Sequence, residues 1–109
     1  MNEQAWLVLF AAGILETSWA VGLKFSEGFT RPWASGATII LMVGSFYLLS
    51  RSLNTLPLGT AYAVWTGIGA VGATIAGIVL FGESGTLHRV FSILLIVAGI
   101  IGLHLTSVD

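Results

Sequence analysis

The chain has 109 residues, of which 56% are apolar and only 8% are charged, and its formal net charge is −1. Its mean hydropathy of +0.97 lies far outside the composition of a soluble domain and indicates a membrane protein. The four scattered basic residues give no footprint for nucleic acid or for strong attraction to anionic lipid headgroups. Because the sequence has no cysteine, a disulfide, a thiolate nucleophile and an iron–sulfur site are excluded.

Four apolar segments follow one another, and each is long enough to cross a membrane. A transmembrane helix needs about 20 predominantly apolar residues for a hydrocarbon core of about 30 Å. The segments do not alternate with a period of two, and backbone groups in lipid must bond within their own segment, so helices are favoured over barrel strands. The sequence predicts an all-α membrane protein, a single transmembrane domain over residues 1–109, with helices at about 4–23, 33–50, 58–81 and 90–105.

The charges of the connectors only weakly set the direction of insertion. In a four-helix hairpin the first and third connectors share one side and carry Lys24, Arg31 and Arg89, while the other side carries only Arg51. This pattern fits a chain that inserts in two directions, and it also fits a chain with one weakly set orientation. Four short helices are also too few to shield an aqueous path from lipid, which favours an oligomer, with an antiparallel dimer as one candidate.

Glu16, in the stretch GILETSWAVGLK, is the one ionisable side chain well inside a predicted span. It precedes Lys24 by eight residues, or about 12 Å of helical rise, and so lies near the bilayer midplane. A charge there costs about 3 kcal/mol on insertion scales. A cation or proton site explains this better than a structural acid bonded to a neighbouring helix. A low dielectric favours the neutral form of a carboxyl and a bound cation favours the charged form, and this opposition is what an exchanger needs.

Aromatic and hydroxyl side chains at helical spacing are candidates to line a site at Glu16. Trp19 follows it by three residues, and the same spacing separates Tyr62 from Trp65 in segment three. An indole face is a suitable wall for a cation, and the hydroxyls of Tyr62 and Ser45 are candidates to donate to Glu16. Each has a simpler explanation as well, because membrane tryptophans often pack or anchor at the interface, and a serine often bonds back to its own helix.

Small residues are frequent in segments three and four. They allow close helix packing, and Gly67-Ile68-Gly69 is also a candidate hinge at which helix three flexes between inward and outward states. Segment four has nothing ionisable in its middle, so we expect it to form a dimer contact through Ala98, Gly99 and Gly102.

The sequence gives no indication of catalysis. No nucleophile stands beside a base, no phosphate-binding loop is present, and His88 and His104 lie near segment ends without partners at metal-ligand spacing. We therefore expect a protein that is not an enzyme and that holds neither a metal nor a cofactor, with both histidines exposed to solvent.

Two motifs together, GILETSWAVGLK and LPLGTAYAVWTGIGAVG, resemble the small multidrug resistance transporters, and the resemblance extends over the whole chain. The details resemble the guanidinium exporter subtype more than the multidrug subtype, notably Trp19, Ser45 and the run TAYAVWTGIGA. The resemblance implies an antiparallel, dual-topology homodimer in the bacterial inner membrane. It also implies proton-coupled export of guanidinium by alternating access.

The resemblance further implies roles for single residues. Glu16 would bind substrate and protons alternately, Gly67 and its neighbours would be the flexible part of helix three, and helix four would be the dimer contact. The site would be lined by Trp19, Ser45, Tyr62 and Trp65. Two departures lie outside the site: His104 stands where a more basic residue is expected, and the connector GESGTLHR lacks a proline after its glutamate.

Three alternative functions remain open. A multidrug exporter of quaternary ammonium or aromatic cations would need a roomier pocket. A cation channel would use the same acid without proton coupling. A structural or assembly subunit of a membrane complex would not need Glu16 for any flux.

Overall fold

The computed structural model describes residues 3–106 and consists of α1 (Glu3–Phe25), α2 (Pro32–Ser52), α3 (Leu58–Phe81) and α4 (Leu87–Leu105). All four helices are long and apolar enough to cross a membrane. The predicted all-α class with four spans is thereby confirmed. The bounds differ slightly from the prediction, since α1 continues past residue 23 and α4 begins before residue 90.

Local sequence signals explain where the helices begin and end. Thr86 caps the start of α4 by accepting a hydrogen bond from the backbone N–H of Arg89 at 3.3 Å, which is why this helix begins earlier than its apolar run. Pro32 stands in the first turn of α2, where a missing N–H is tolerated. Gly82 ends α3 with a left-handed φ of 68°, and the N–H of the following residue, Glu83, donates to the carbonyl of Gly77 at 3.1 Å.

The helices are arranged as a thin slab of 43 × 34 × 17 Å. Helix α1 packs extensively against both α2 and α3, whereas α4 packs mainly on the outer side of α3. The first and third connectors lie at the same end of the slab, because the rings of Phe25 and Phe81 are 5.1 Å apart. The slab therefore runs in the order α2, α1, α3, α4.

The core lies between α1 and α3 and occupies a small part of the chain. It consists of Ala5, Trp6, Leu9, Ala12, Leu56, Ala61, Val64 and Trp65. Between Leu87 and Leu105, α4 has no buried residue at all. The chain thus covers little of its apolar surface by itself, and both broad faces of the slab are open to lipid or to another protein.

Candidate cation site

Glu16 lies in the contact between α1 and α3. The side chain packs directly on Gly69, where an added Cβ would stand 2.8 Å from Glu16 Cγ, so only a glycine leaves room for it. One carboxyl oxygen, Oε1, is buried and has no hydrogen-bond partner among the described residues. Because a buried carboxylate oxygen without a donor is unfavourable, this group favours either a proton or a cation that brings N–H donors.

Ser45 joins three helices at the level of Ala12, one helical turn before Glu16 on α1. It is fully buried, its Oγ donates to the carbonyl of Ala12 at 2.7 Å, and it accepts a bond from Trp65 Nε1 at 3.0 Å. The predicted donation from Ser45 to Glu16 is absent among the described residues, and so is the alternative bond to its own helix. The reason is the position of Ser45 relative to α1: it faces the helical turn before Glu16, where the carbonyl of Ala12 is the available acceptor.

Four aromatic side chains from three helices form a row beside this network. Trp19 and Phe46 have ring centroids 6.2 Å apart, Phe46 and Trp65 are separated by 5.8 Å, and Trp65 and Tyr62 by 5.5 Å. The structure thus brings Trp19, Tyr62 and Trp65 together in one aromatic row. Tyr62 is 53% exposed, and its hydroxyl makes no hydrogen bond within residues 3–106, so the predicted bond to Glu16 is not found.

Two neighbouring residues were missed in the sequence. Phe46 lies between Trp19 and Trp65 in the aromatic row. The sequence feature that could have predicted this is its position directly after Ser45 in MVGSFYLL. Thr17 lies directly after Glu16, and its Oγ1 donates to the carbonyl of Ile68 on α3 at 3.4 Å. This contact had no signal in the sequence, because a threonine in a membrane helix usually bonds back to its own helix.

The two glycines of the predicted hinge contact different helices. Gly69 faces Glu16 on α1, whereas a Cβ on Gly67 would stand 3.1 Å from Ile100 Cδ1 on α4. Helix α3 is continuous from Leu58 to Phe81, so both glycines serve close packing here and the hinge stays a prediction.

The face of α4 predicted to form the dimer contact is uncovered within the chain. Among residues 3–106, no atom outside α4 lies within 4 Å of the positions where Gly99 and Gly102 would carry a Cβ, and Ala98 is exposed. This face is free to pack against another protein, and the dimer contact also stays a prediction.

The expectation of solvent-exposed histidines is wrong for His104. Its ring lies 4.6 Å from that of Trp6 at an interplanar angle of 85°, and the residue is half-buried. Across the part of the chain that the structure describes, no three histidine, aspartate or glutamate side chains are grouped to hold a metal ion.

Comparison with known proteins places these features in a family. The family model described as "Small Multidrug Resistance protein" matches residues 4–96. The chain belongs to the small multidrug resistance family. Curated relatives in the family include the guanidinium exporter of Yersinia pseudotuberculosis, which is 57% identical over 103 residues, or 94% of this chain and 99% of the relative. The guanidinium exporter of Citrobacter freundii is 58% identical, with 94% and 98% covered, and that of Proteus vulgaris is 55% identical, with 94% and 99% covered.

As a member of the small multidrug resistance family with four apolar spans, the chain is a multi-pass membrane protein. The relatives are named as exporters, which makes them transport proteins and not enzymes. In this small multidrug resistance protein, Glu16 lies inside the first span with one carboxyl oxygen buried.

Proposed function

We propose that the chain exports guanidinium across the bacterial inner membrane in exchange for protons, with both ions binding to Glu16. One observation carries the proposal: a carboxyl oxygen in the middle of a membrane span is buried without a hydrogen-bond donor from residues 3–106, beside a row of aromatic rings. The names of the relatives, all guanidinium exporters, support the choice of cargo.

Guanidinium suits this site by its shape and its donors. It is planar and carries N–H groups that pair with a carboxylate through two parallel charge-assisted hydrogen bonds. The indole faces of Trp19 and Trp65 provide walls that attract a cation. A quaternary ammonium ion has no N–H group and would leave Oε1 of Glu16 without a donor, so this site favours guanidinium over the cargo of a multidrug exporter.

Coupling follows from competition for one carboxyl group. A proton on Glu16 removes the charge and the acceptor that guanidinium needs, and bound guanidinium excludes the proton. As the pH falls, guanidinium affinity therefore decreases. When the site faces alternately inward and outward, a proton enters each time a guanidinium leaves, and the inward proton gradient drives export.

An antiparallel homodimer of dual topology would complete the site with a second Glu16. The slab is only 17 Å thick, and α4 has no buried residue, so one chain alone does not enclose a path for an ion. Small residues on the uncovered face of α4 allow a close helix contact. Two carboxyl groups that face one guanidinium would titrate as a pair.

A transport assay tests the proposal. The purified protein is reconstituted in liposomes with an acidic interior, and labelled guanidinium uptake is measured against its own concentration gradient. We expect uptake that stops when the pH gradient is collapsed and that is absent in Glu16→Gln. Flux down the guanidinium gradient without proton movement would show a channel, and uptake of tetramethylammonium in place of guanidinium would show a multidrug exporter. Absence of any flux would favour a structural subunit.

A further inference from the structure

A groove runs between α1 and α4, with α3 as its floor. Two cavities of about 320 Å³ and about 380 Å³ lie in series along it. They share four lining residues, namely Phe10, Ile68, Ile100 and Ile101. We call this feature the α1/α4 groove. Its walls are two membrane-spanning helices, so it opens onto the hydrocarbon of the bilayer.

The length of the groove matches one leaflet of the bilayer. It begins at Glu3 and reaches Thr17, a separation of 14 residues by their numbers. That separation is about 21 Å of helical rise. Half of a hydrocarbon core is about 15 Å, so the groove extends from the headgroup region to about the bilayer midplane. Its inner part is lined almost wholly by apolar side chains, as an acyl chain requires.

The outer mouth of the groove is polar and carries charge. Glu3, in the first turn of α1, and His104, in the last turn of α4, both line it. Within residues 3–106 the two ion pairs are Glu27–Arg31 and Glu83–Arg89, so no side chain there neutralises Glu3. The imidazole of His104 packs edge-on to the indole of Trp6. Tryptophan is an amphipathic residue that is typical of membrane interfaces.

We propose that the α1/α4 groove binds one phospholipid whose headgroup carries a primary ammonium. The acyl chain lies in the groove, the ammonium donates to the carboxylate of Glu3, and the imidazole N–H of His104 donates to the phosphate. A primary ammonium has N–H donors for the carboxylate, whereas the quaternary ammonium of a choline headgroup has none.

A lipid fits this groove better than a second copy of the chain. A partner helix about 10 Å across would occupy roughly 1,600 Å³ over the same length, more than the two cavities of about 320 and 380 Å³ hold together. The single polar mouth also matches a molecule with one polar end.

The lipid site is separate from the transport site. On α1 the residues Glu3, Phe10 and Thr17 recur every seven positions and share one stripe, whereas Glu16 points about 100° away from Thr17. The lipid proposal therefore does not depend on which ion the protein transports.

Native mass spectrometry of the full chain tests this proposal. The protein is purified in detergent and mixed in turn with dioleoyl phosphatidylethanolamine, phosphatidylcholine and phosphatidylglycerol. We expect preferential retention of phosphatidylethanolamine, and Glu3→Gln should reduce this retention about tenfold, because a hydrogen bond between two charged groups is lost. The matched control is Glu27→Gln, which removes an exposed acid at the opposite end of the slab and should leave retention unchanged.

A second variant pair tests the groove itself. Ile101→Trp fills the groove at a position that is 53% exposed, and Ile39→Trp adds the same bulk at a 52% exposed position on α2. We expect only the first to lower lipid retention, with the mass of the protein assembly unchanged. Equal retention of the three lipids, an equal loss in Glu27→Gln, or dissociation of a dimer by Ile101→Trp would overturn the proposal, the last by showing a surface between protein copies.

Discussion

The indole Nε1 of Trp65 on α3 donates to Ser45 Oγ on α2 at 3.0 Å, and the Ser45 hydroxyl donates in turn to the carbonyl of Ala12 on α1 at 2.7 Å. In an α-helix the carbonyl of Ala12 also accepts the backbone N–H of the residue four positions on, which is Glu16. The network therefore holds the turn from which the carboxyl group projects. Ser45 and Trp65 position Glu16 through its backbone and not through its carboxylate.

The substitution Ser45→Ala tests this positioning. The change removes both hydrogen bonds and leaves the buried N–H of Trp65 without a partner, at a cost of about 1 to 3 kcal/mol. We expect the protein to remain folded, with a higher half-saturating guanidinium concentration and a shifted pH profile of binding. Ser18→Ala is the control, because that hydroxyl bonds only to its own helix, at the carbonyl of Ile14. A pH profile identical to that of the wild type would argue against the positioning role.

Gly69→Ala tests the contact between α3 and the carboxyl group. The new methyl group would stand 2.8 Å from Glu16 Cγ and displace the side chain from its place against α3. We expect guanidinium binding, measured by calorimetry, to weaken at least tenfold while the helical circular dichroism signal is kept. Gly36→Ala is the control, since its added methyl group meets no atom within 4 Å. Equal binding in the two variants would show that Glu16 binds in a different rotamer.

Thr17→Val is expected to change the rate of transport more than the affinity. The hydroxyl of Thr17 is bound to the carbonyl of Ile68, between the two glycines of the predicted hinge. If α3 moves at this point during alternating access, loss of the bond lowers the barrier to movement. The maximal rate of guanidinium uptake should then rise about two- to fivefold, as expected for one neutral hydrogen bond, at an unchanged half-saturating concentration. A higher half-saturating concentration with no change in rate would place Thr17 in the binding site.

The sequence predicted those features that depend on composition along one helix. Hydropathy was sufficient for the four spans, and an isolated acid within an apolar run made Glu16 the candidate site. The bonding partner of Ser45 and the place of Phe46 depend on how three helices are rotated against one another, which no pattern within one helix specifies. The same holds for the contact of His104 with Trp6. Helix α4 begins before its apolar run because a threonine caps it there, although the residues that follow the cap are polar.

Gly99→Leu tests the predicted dimer contact. Outside α4 itself, no atom of residues 3–106 lies within 4 Å of the position of its Cβ, so the larger side chain should not disturb the fold of one chain. We expect it to shift the mass in detergent, measured by light scattering, from dimer toward monomer. Gly36→Leu adds the same side chain at another open position and should leave the dimer intact. Dissociation by both variants, or by neither, would mean that α4 is not the specific contact.

The central claim is that guanidinium and a proton compete for Glu16, and proton release upon binding measures this most directly. Guanidinium is added to the purified protein in weakly buffered detergent solution, and a pH indicator reports the protons set free. We predict that the wild type releases protons as it binds guanidinium, with less binding at lower pH, and that Glu16→Gln neither binds nor releases. Binding without proton release in the wild type, or either signal in Glu16→Gln, would contradict the account.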